Sequence, residues 1–233
     1  MMRVLRPVSP AIPAGCVLAE YDARHPRHIA QDEVQLPPEE RAIAETIRSA
    51  PRRTGFIAGR LALHAALGES DARAHSSRPI LRDARGRPSP TWDAPPPLSI
   101  AHSRKRAIAM VAPSGSCAAI GVDVEEVDAH RAHALVRMSL SDAEIALIRA
   151  TDAELLQGPI ALWCARESCV KAHALEVGWF GTSLVATCFE PCESPIENAI
   201  RAWRIEIAFE SSPTFIATAW ATDEAVYACA ARV

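Results

Sequence analysis

The chain has 233 residues, of which 49% are hydrophobic and 23% charged, so it has the length for one large or two small globular domains and is too apolar for disorder. Its 28 acidic and 25 basic side chains give a formal charge of -3, which argues against a general nucleic-acid or membrane-surface binder, because those proteins need a net basic field. Seven cysteines without a Cys-x-x-Cys pair argue against a disulfide framework and a zinc site, so we expect reduced thiols.

The N-terminal segment only faintly resembles a lipoprotein cleavage site, at residues 13–16. Arg6 and the prolines at positions 7, 10 and 13 interrupt the apolar stretch that such a signal requires. No later run approaches the ~20 apolar residues of a membrane span. We expect a cytoplasmic monomer that has no nucleic-acid or membrane partner.

In the first half, the sequence predicts a short strand, two helices and then further strands. Residues 37–40 place proline and acidic side chains where the first turn of a helix favours them. From Phe56 to Leu67 apolar residues recur at helical spacing, and Gly68 can end this second helix. The predicted strands cover residues 17–19, 79–81, 98–102, 107–112 and 118–125, with a turn at 83–88.

In the second half, helices come first and strands follow. Helices are predicted at 131–138, from Ser141, and over 163–174, and Ser141 with Glu144 forms a capping box. The strands predicted after them cover 184–189, 202–209, 215–221 and 225–230, with Trp203, Ile205, Ile207 and Phe209 alternating along one face. Helices beside neighbouring strands, without a βαβ rhythm, predict an α+β fold with antiparallel sheets.

Two acidic residues share one face of a predicted strand. The period of two turns Ile120, Val122 and Val124 toward a core, and it projects Asp123 and Glu125 from the opposite face. Adjacent carboxylates repel each other unless a positive charge lies near, and a divalent ion with oxygen ligands is the usual solution. For this fragment alone, the alternative is an ordinary solvated strand face.

A second acidic residue pattern lies on the long predicted helix. Trp163, Glu167 and Lys171 are spaced i, i+4, i+8 and form one stripe. The alternative is a surface ion pair between Glu167 and Lys171, with Trp163 merely packing. Only Lys105 and Lys171 among the 25 basic residues are lysines, so a surface pair would be expected to use arginine.

Weaker signals precede these two fragments. His102 ends a predicted strand, but a lone histidine is more often structural, and residues 99–103 are also compatible with a turn cap. Local basic clusters occur at Arg52 and Arg53, at residues 59–60 and around Arg87. None of these signals is specific alone.

Taken in order, the segments resemble the 4'-phosphopantetheinyl transferases, specifically the two-subdomain type that activates surfactin synthetase. The family pattern Gly-[Ile/Val]-Asp-[Ile/Val]-Glu is matched at residues 121–125, and its later Trp-x-x-Lys-Glu-[Ser/Ala]-x-x-Lys pattern is matched at residues 163–171. Upstream, residues 86–88, 99–103 and 56–60 are similar to the family's Gly-Lys-Pro turn, its Asn-Ile-Ser-His-Ser strand and the helix before that turn. The resemblance covers about residues 50–175.

The sequence departs from the family pattern at two single residues and in one segment. Arg166 replaces a lysine, which keeps the charge but changes the geometry of the donor. Ala101 replaces the serine before the histidine and removes a possible phosphate contact. The Gly-x-Gly-Leu turn expected after Lys171 is replaced by the unrelated segment 172–181, beside the expected pantetheine arm.

The resemblance implies an α+β fold of two similar subdomains related by a pseudo-twofold axis, residues 1–118 and 119–233, each with an antiparallel sheet and a long helix. Coenzyme A would bind between them and donate its 4'-phosphopantetheine to a serine of an acyl or peptidyl carrier protein, releasing 3',5'-ADP. Mg²⁺ would be held by Asp123, Glu125 and Glu167, the first and last of which would also be catalytic.

The resemblance also implies roles for the remaining residues. Glu167 would take the serine proton, directly or through water, and Lys171 would bind and stabilise the leaving 3',5'-ADP. His102, Arg87 and one of Arg52 or Arg53 would bind phosphates. The alternatives are a catalytically degenerate module that binds carrier proteins or nucleotides, and a Mg²⁺-dependent phosphohydrolase, which gives no role to the upstream segments.

The segment after the acidic strand is a candidate surface for the carrier protein. Residues 129–138 contain Arg131, Arg137, two histidines and the apolar Leu135 and Met138. Basic and apolar side chains together would suit an acidic, partly apolar helix of a carrier. The alternative is an ordinary amphipathic helix that buries Leu135 and Met138 in its own core.

Overall fold

The computed structural model describes residues 1–151, 156–175, 183–209 and 212–232. Within them the chain forms two larger antiparallel sheets, a two-stranded ribbon and helices that pack on the sheets. The strands and helices follow in the order β1 (Met2–Leu5), β2 (Val17–Asp22), α1 (Pro26–Asp32), α2 (Pro38–Thr46), α3 (Ala50–Gly68), β3 (Ile80–Arg82), β4 (Pro88–Pro90), β5 (Leu98–His102), β6 (Arg106–Val111), β7 (Ala119–Glu126), α4 (Ala129–Met138), α5 (Asp142–Ala150), α6 (Gly158–His173), β8 (Leu184–Pro191), β9 (Arg201–Phe209), β10 (Phe215–Ala221) and β11 (Ala225–Arg232).

The first sheet has the strand order β1-β2-β6-β5, and helix α3 packs on one of its faces. Helix α3 begins after Ser49, carries a proline in its first turn and ends at Gly68. Its end at Gly68 was predicted from the sequence. A core forms where the apolar side of α3 meets the inner face of β2 and β6; its members include Phe56, Ile57, Leu61, Leu63, Val17, Ala19, Ala107, Ala109 and Val111.

The second sheet has the order β7-β11-β10-β9-β8, with helix α6 lying across β7, β11 and β10. The predicted alternation along β9 is confirmed, since Trp203, Ile205 and Ile207 are buried in the core under α6 and Phe209 packs at its margin. Strand β7 forms one edge of this sheet and pairs with β11. Each of the two sheets thus carries one long helix, and the α+β prediction is confirmed.

A third apolar core lies between the two sheets. The first sheet contributes side chains such as Leu18, Ile108 and Met110, and the second contributes Trp220 and Cys229 among others. A polar contact crosses the same boundary, because the backbone N–H of Val122 donates to Ser99 Oγ at 3.1 Å. The two sheets are therefore joined by a shared core as well as by the chain.

The alternative of an ordinary solvated strand face for Asp123 and Glu125 does not match the structure. Ile120, Val122 and Val124 do face the core between the sheets. The opposite face is covered by α6, and Asp123 is only 8% exposed. Alternation of apolar and polar residues identifies the apolar face of a strand that packs on a core. It cannot predict that a helix covers the opposite, polar face as well.

Other boundaries compare as follows. Strands β5 and β10 have the predicted bounds, whereas β1, α1 and β4 were not predicted. The division of the chain after residue 118 stays a prediction. Of the altered segment after Lys171, residues 176–181 lie outside the described residues. None of the described helices is long and apolar enough to cross a membrane.

Candidate active site

A close approach between β7 and α6 sets the geometry of the site. A Cβ atom built on Gly121 would lie 1.9 Å from the carbonyl oxygen of Ser168 and 2.7 Å from the backbone nitrogen of Ala172. Only glycine allows the strand and the helix backbone to come so near. The glycine of the acidic strand pattern therefore brings Asp123, two residues further on, against the helix that carries Lys171.

Lys171 joins the helix to the strand. Its Nζ donates to Asp123 Oδ1 at 2.8 Å and to the carbonyl oxygen of Val122 at 2.9 Å. The i, i+4 surface pair with Glu167, considered as the alternative, is thus replaced by an ion pair with a buried partner. The lysine and one carboxylate of the predicted site lie in direct contact.

Glu125 is paired with an arginine that the local sequence pattern did not connect to it. Nη2 of Arg131, in the first turns of α4, donates to Glu125 Oε1 at 2.8 Å. The Arg131 guanidinium also lies 5.1 Å from the centroid of the Trp163 ring, a cation–π contact. Arg131 therefore links the strand and both helices around the site.

Glu167 is held differently from the other two carboxylates. Within the described part of the chain it has no hydrogen bond or ion pair of its own. Burial, and next the charge of Asp123, raise its pKa. Burial also raises the pKa of Glu125, against the opposing effect of Arg131. Three carboxylates thus share a partly desolvated region that would be stabilised by further positive charge.

The donor set fits Mg²⁺ in kind, since Asp123, Glu125 and Glu167 offer the hard oxygen atoms that this ion prefers. As the side chains stand, no three potential ligands among the described residues form a ready-made metal cluster. Lys171 and Arg131 instead contact two of the carboxylates. Metal binding by these three residues stays a prediction.

His102 lies at the end of β5 with its ring against helix α3. A Cβ atom on Gly55 would lie 2.9 Å from His102 Nδ1, so the glycine makes room for the ring. The side chain keeps access to solvent, while burial among its neighbours lowers its pKa, followed by the positive charge of Lys171. At neutral pH the ring is therefore biased toward the neutral form.

The predicted phosphate-binding arginines differ in their surroundings. Arg53 Nη2 donates to Glu33 Oε1 at 2.9 Å, whereas Arg52 is exposed and has no hydrogen bond or ion pair within the described residues. Arg87 Nε donates to Asp83 Oδ2 at 2.7 Å, and this hydrogen bond lowers the pKa of Asp83. Arg87 is exposed. Of Arg52 and Arg53, Arg52 is therefore the one whose guanidinium is available to bind a phosphate.

Two family models cover most of the chain. The model for the 4'-phosphopantetheinyl transferase N-terminal domain matches residues 38–112, and the model for the 4'-phosphopantetheinyl transferase superfamily matches residues 119–229. The chain belongs to the 4'-phosphopantetheinyl transferase superfamily. A comparison with curated proteins gives no match.

Two further arginines lie near the site of this phosphopantetheinyl transferase: Arg60, from the basic cluster at residues 59–60, and Arg82, which sequence reasoning did not single out. The guanidinium groups of Arg60 and Arg82 lie 5.1 and 4.5 Å from the centroid of the Phe56 ring. Burial lowers the pKa of Arg60 to about 10. Its Nη1 is buried and has no hydrogen-bond partner among the described residues, while Arg82 is exposed. The signal available in the sequence was the arginine that precedes the turn at residues 83–88.

The basic residue next to Glu167 is structural in this transferase. Arg166 is 2% exposed, and its guanidinium bonds to Glu144 and to the carbonyl oxygen and hydroxyl of Ser139. Glu144 also completes the predicted capping box with Ser141, which is confirmed. Arg166 therefore ties α6 to α5, and arginine suits this position because it offers several donors in a fixed plane.

Helix α4 divides between core and surface. Leu135 is buried, as the amphipathic alternative expects, while Met138 is 57% exposed. His130, His133 and Arg137 are exposed as well. Because Arg131 pairs with Glu125, it belongs to the site rather than to a free docking face.

Proposed function

We propose that this transferase moves the 4'-phosphopantetheine of coenzyme A to a serine of an acyl or peptidyl carrier protein and releases 3',5'-ADP. The observation that carries the proposal is the contact of Lys171 with Asp123, beside Glu125 and Glu167. His102 lies near enough for its pKa to respond to Lys171 and Asp123. The three carboxylates thus lie close to Lys171 and His102. Carboxylates to hold a cation, beside basic groups to hold phosphate oxygens, are what a pyrophosphate with a bound cation requires.

Asp123, Glu125 and Glu167 would hold Mg²⁺ through carboxylate oxygens. When bound, the ion would neutralise the charge on the phosphoryl oxygens and orient the pyrophosphate. The ion pairs of Lys171 with Asp123 and of Arg131 with Glu125 support this assignment, because they place a positive charge beside two of the three carboxylates. In the complex, Lys171 would be free to exchange Asp123 for a substrate phosphate.

The proton of the carrier serine would pass to Glu167. Its raised pKa makes it a stronger base than an ordinary glutamate, and within the described residues no ion pair competes for its lone pairs. The serine oxygen would form a bond to the β-phosphorus as the bond to the oxygen bridging the α-phosphate breaks. Lys171 would stabilise the charge that develops on the departing 3',5'-ADP.

The phosphates of the nucleotide would lie along the first subdomain. His102 would donate a hydrogen bond from its ring, and Arg87 and Arg52 would supply exposed guanidinium groups. Of the pair Arg52 and Arg53, Arg53 is less suited because it already pairs with Glu33, whereas Arg52 has no ion pair among the described residues. Arg82, exposed beside Phe56, would add a further positive charge on the same side.

The carrier protein would dock on the exposed face of α4. His130, His133, Arg137 and Met138 offer basic and apolar contacts to an acidic helix. We expect Arg137→Glu to raise the KM for the carrier about tenfold at low salt, with a smaller effect at high salt and no change in coenzyme A affinity. Steady-state kinetics at two ionic strengths checks this, and an unchanged KM would leave α4 with a structural role only.

The decisive experiment incubates the protein with coenzyme A, Mg²⁺ and a panel of apo-carriers, followed by intact mass measurement. A carrier that gains one phosphopantetheine supports the proposal. Binding of coenzyme A and carrier without any mass gain across the panel would favour the degenerate binding module. Hydrolysis of coenzyme A to 4'-phosphopantetheine and 3',5'-ADP without a modified carrier would favour the phosphohydrolase.

A further inference from the structure

Strand β7 carries an acidic residue beside the predicted ligands that points the other way. Glu126 follows Glu125, so the strand period turns it toward the first sheet, on the same side as Val122 and Val124. Its carboxylate meets the turn between β5 and β6. Ser103 Oγ donates to Glu126 Oε1 at 2.5 Å, and the backbone N–H of Lys105 donates to the same oxygen at 2.9 Å.

The turn is held at several points at once. The backbone N–H of Arg104 donates to Glu126 Oε2 at 3.4 Å, so both carboxylate oxygens serve the turn. A carboxylate that receives a hydroxyl and consecutive backbone N–H groups fixes the course of a short turn more firmly than one contact does. Because Glu126 is engaged in this way, it is not one of the carboxylates facing the metal site.

The position of Glu126 connects the two halves of the site through very few bonds. Glu126 is adjacent in sequence to Glu125, and Ser103, which it holds, is adjacent to His102. One side chain thus spans from the acidic edge of the second subdomain to the phosphate-binding edge of the first. The distance between these edges must match the distance between the pyrophosphate and the other phosphate of the nucleotide.

We propose that Glu126 is a positioning residue that sets His102 at a fixed separation from Glu125. This inference rests on the proposed function, since it assigns His102 to coenzyme A. Glu126 touches neither substrate nor metal and acts through the turn at residues 103–105. Its removal should weaken coenzyme A binding through His102 and leave the chemistry at Glu167 less affected.

The test is a double-mutant cycle between Glu126 and His102, with coenzyme A affinity measured by calorimetry. We expect Glu126→Ala to raise the Kd about tenfold, which corresponds to ~1.4 kcal/mol, and to raise the KM for coenzyme A more than it lowers kcat. In a His102→Ala background the same change should raise the Kd less than about twofold. An equal loss in both backgrounds, or no loss in either, would overturn the inference.

Three further variants separate positioning from general damage. Glu126→Gln keeps an acceptor for Ser103 and Lys105 and should recover part of the affinity. Ser103→Ala removes the hydroxyl contacts to Glu126 and to the carbonyl oxygen of Arg106, but it keeps the backbone N–H contacts of Arg104 and Lys105 to Glu126, so it should give a smaller loss than Glu126→Ala. Glu224→Ala removes a different carboxylate that crosses between the subdomains, to Arg106, and should leave the coenzyme A affinity unchanged. A loss for Glu224→Ala equal to that of Glu126→Ala would overturn the inference in favour of simple loosening. A wild-type protein that binds no coenzyme A would instead contradict the proposed function itself.

Discussion

Lys171 contacts the buried carboxylate of Asp123 in the structure. In the proposed reaction it would also contact the leaving group, and comparing kcat with coenzyme A affinity in one variant can tell these two roles apart. We expect Lys171→Ala to lower kcat by about 10²–10³-fold, the usual effect of losing one charge-stabilising donor, and to weaken coenzyme A binding less. Calorimetry beside steady-state kinetics measures both. Lys105→Ala removes the only other lysine, at an exposed turn, and should keep kcat near the wild-type value. Equal losses in kcat and affinity would make Lys171 a binding residue only.

The Glu167 side chain, which the proposed function needs, should lower the stability of the folded protein to a degree that depends on pH. Burial raises the pKa of Glu167 in the folded state. Its contribution to the free energy of unfolding is therefore fully present below the ordinary glutamate pKa and is lost as the pH rises through the raised pKa. At neutral pH without divalent metal, Glu167→Gln should therefore raise the Tm, by about 2 °C or more, while abolishing transfer. The gain should vanish at acidic pH. Thermal melts with a chelator across the pH range check this, and a lower Tm for the variant at neutral pH would refute it.

At the level of elements, two glycines mark contacts of opposite kind. At Gly121 an added methyl group meets the backbone of α6, which cannot move without displacing the helix, whereas at Gly55 it meets the ring of His102, a side chain that can be displaced without moving a helix. We expect Gly121→Ala to cost about 3 kcal/mol or more of unfolding free energy. Gly55→Ala should cost little, because alanine favours a helix over glycine, but should weaken coenzyme A binding. Denaturant unfolding with calorimetry distinguishes them, and equal stability of both variants would contradict the close approach.

The elements also show what local sequence can predict. The bounds of β10 and the capping box at Ser141 follow from patterns only a few residues long, and the sequence contains those patterns in full. The partners Arg131 for Glu125 and Ser103 for Glu126 depend on the packing of separate elements, so no spacing along the chain contains them. Strand β4 was missed because its two prolines read as a loop.

For the whole molecule, Arg106 is a buried polar link between the two larger sheets. Its guanidinium donates to Glu20 and to the Tyr227 hydroxyl at 3.0 and 2.9 Å, and to Glu224 at 3.0 Å. The side chain is 8% exposed, so Arg106→Ala would leave Glu20 largely buried without its cation and should cost about 3 kcal/mol.

The matched control is Arg24→Ala, which also breaks an ion pair with Glu224 but at a side chain that is 45% exposed. Because solvent screens this exposed pair, its loss should cost much less than the loss of Arg106. Equilibrium denaturation of both variants, followed by tryptophan fluorescence, measures the difference. Similar costs for the two arginines would show that Arg106 does not secure the boundary.

The pairing of β7 with β11 also affects the order in which parts of the protein can fold during synthesis. Strand β7 ends at Glu126, while its neighbour in the sheet begins only at Ala225, so the contact has a long sequence separation. Contacts of this kind form late, because the intervening chain must first leave the ribosome and close a large loop. A nascent chain that stalls before Ala225 therefore carries every predicted site residue but lacks the strand that would align them.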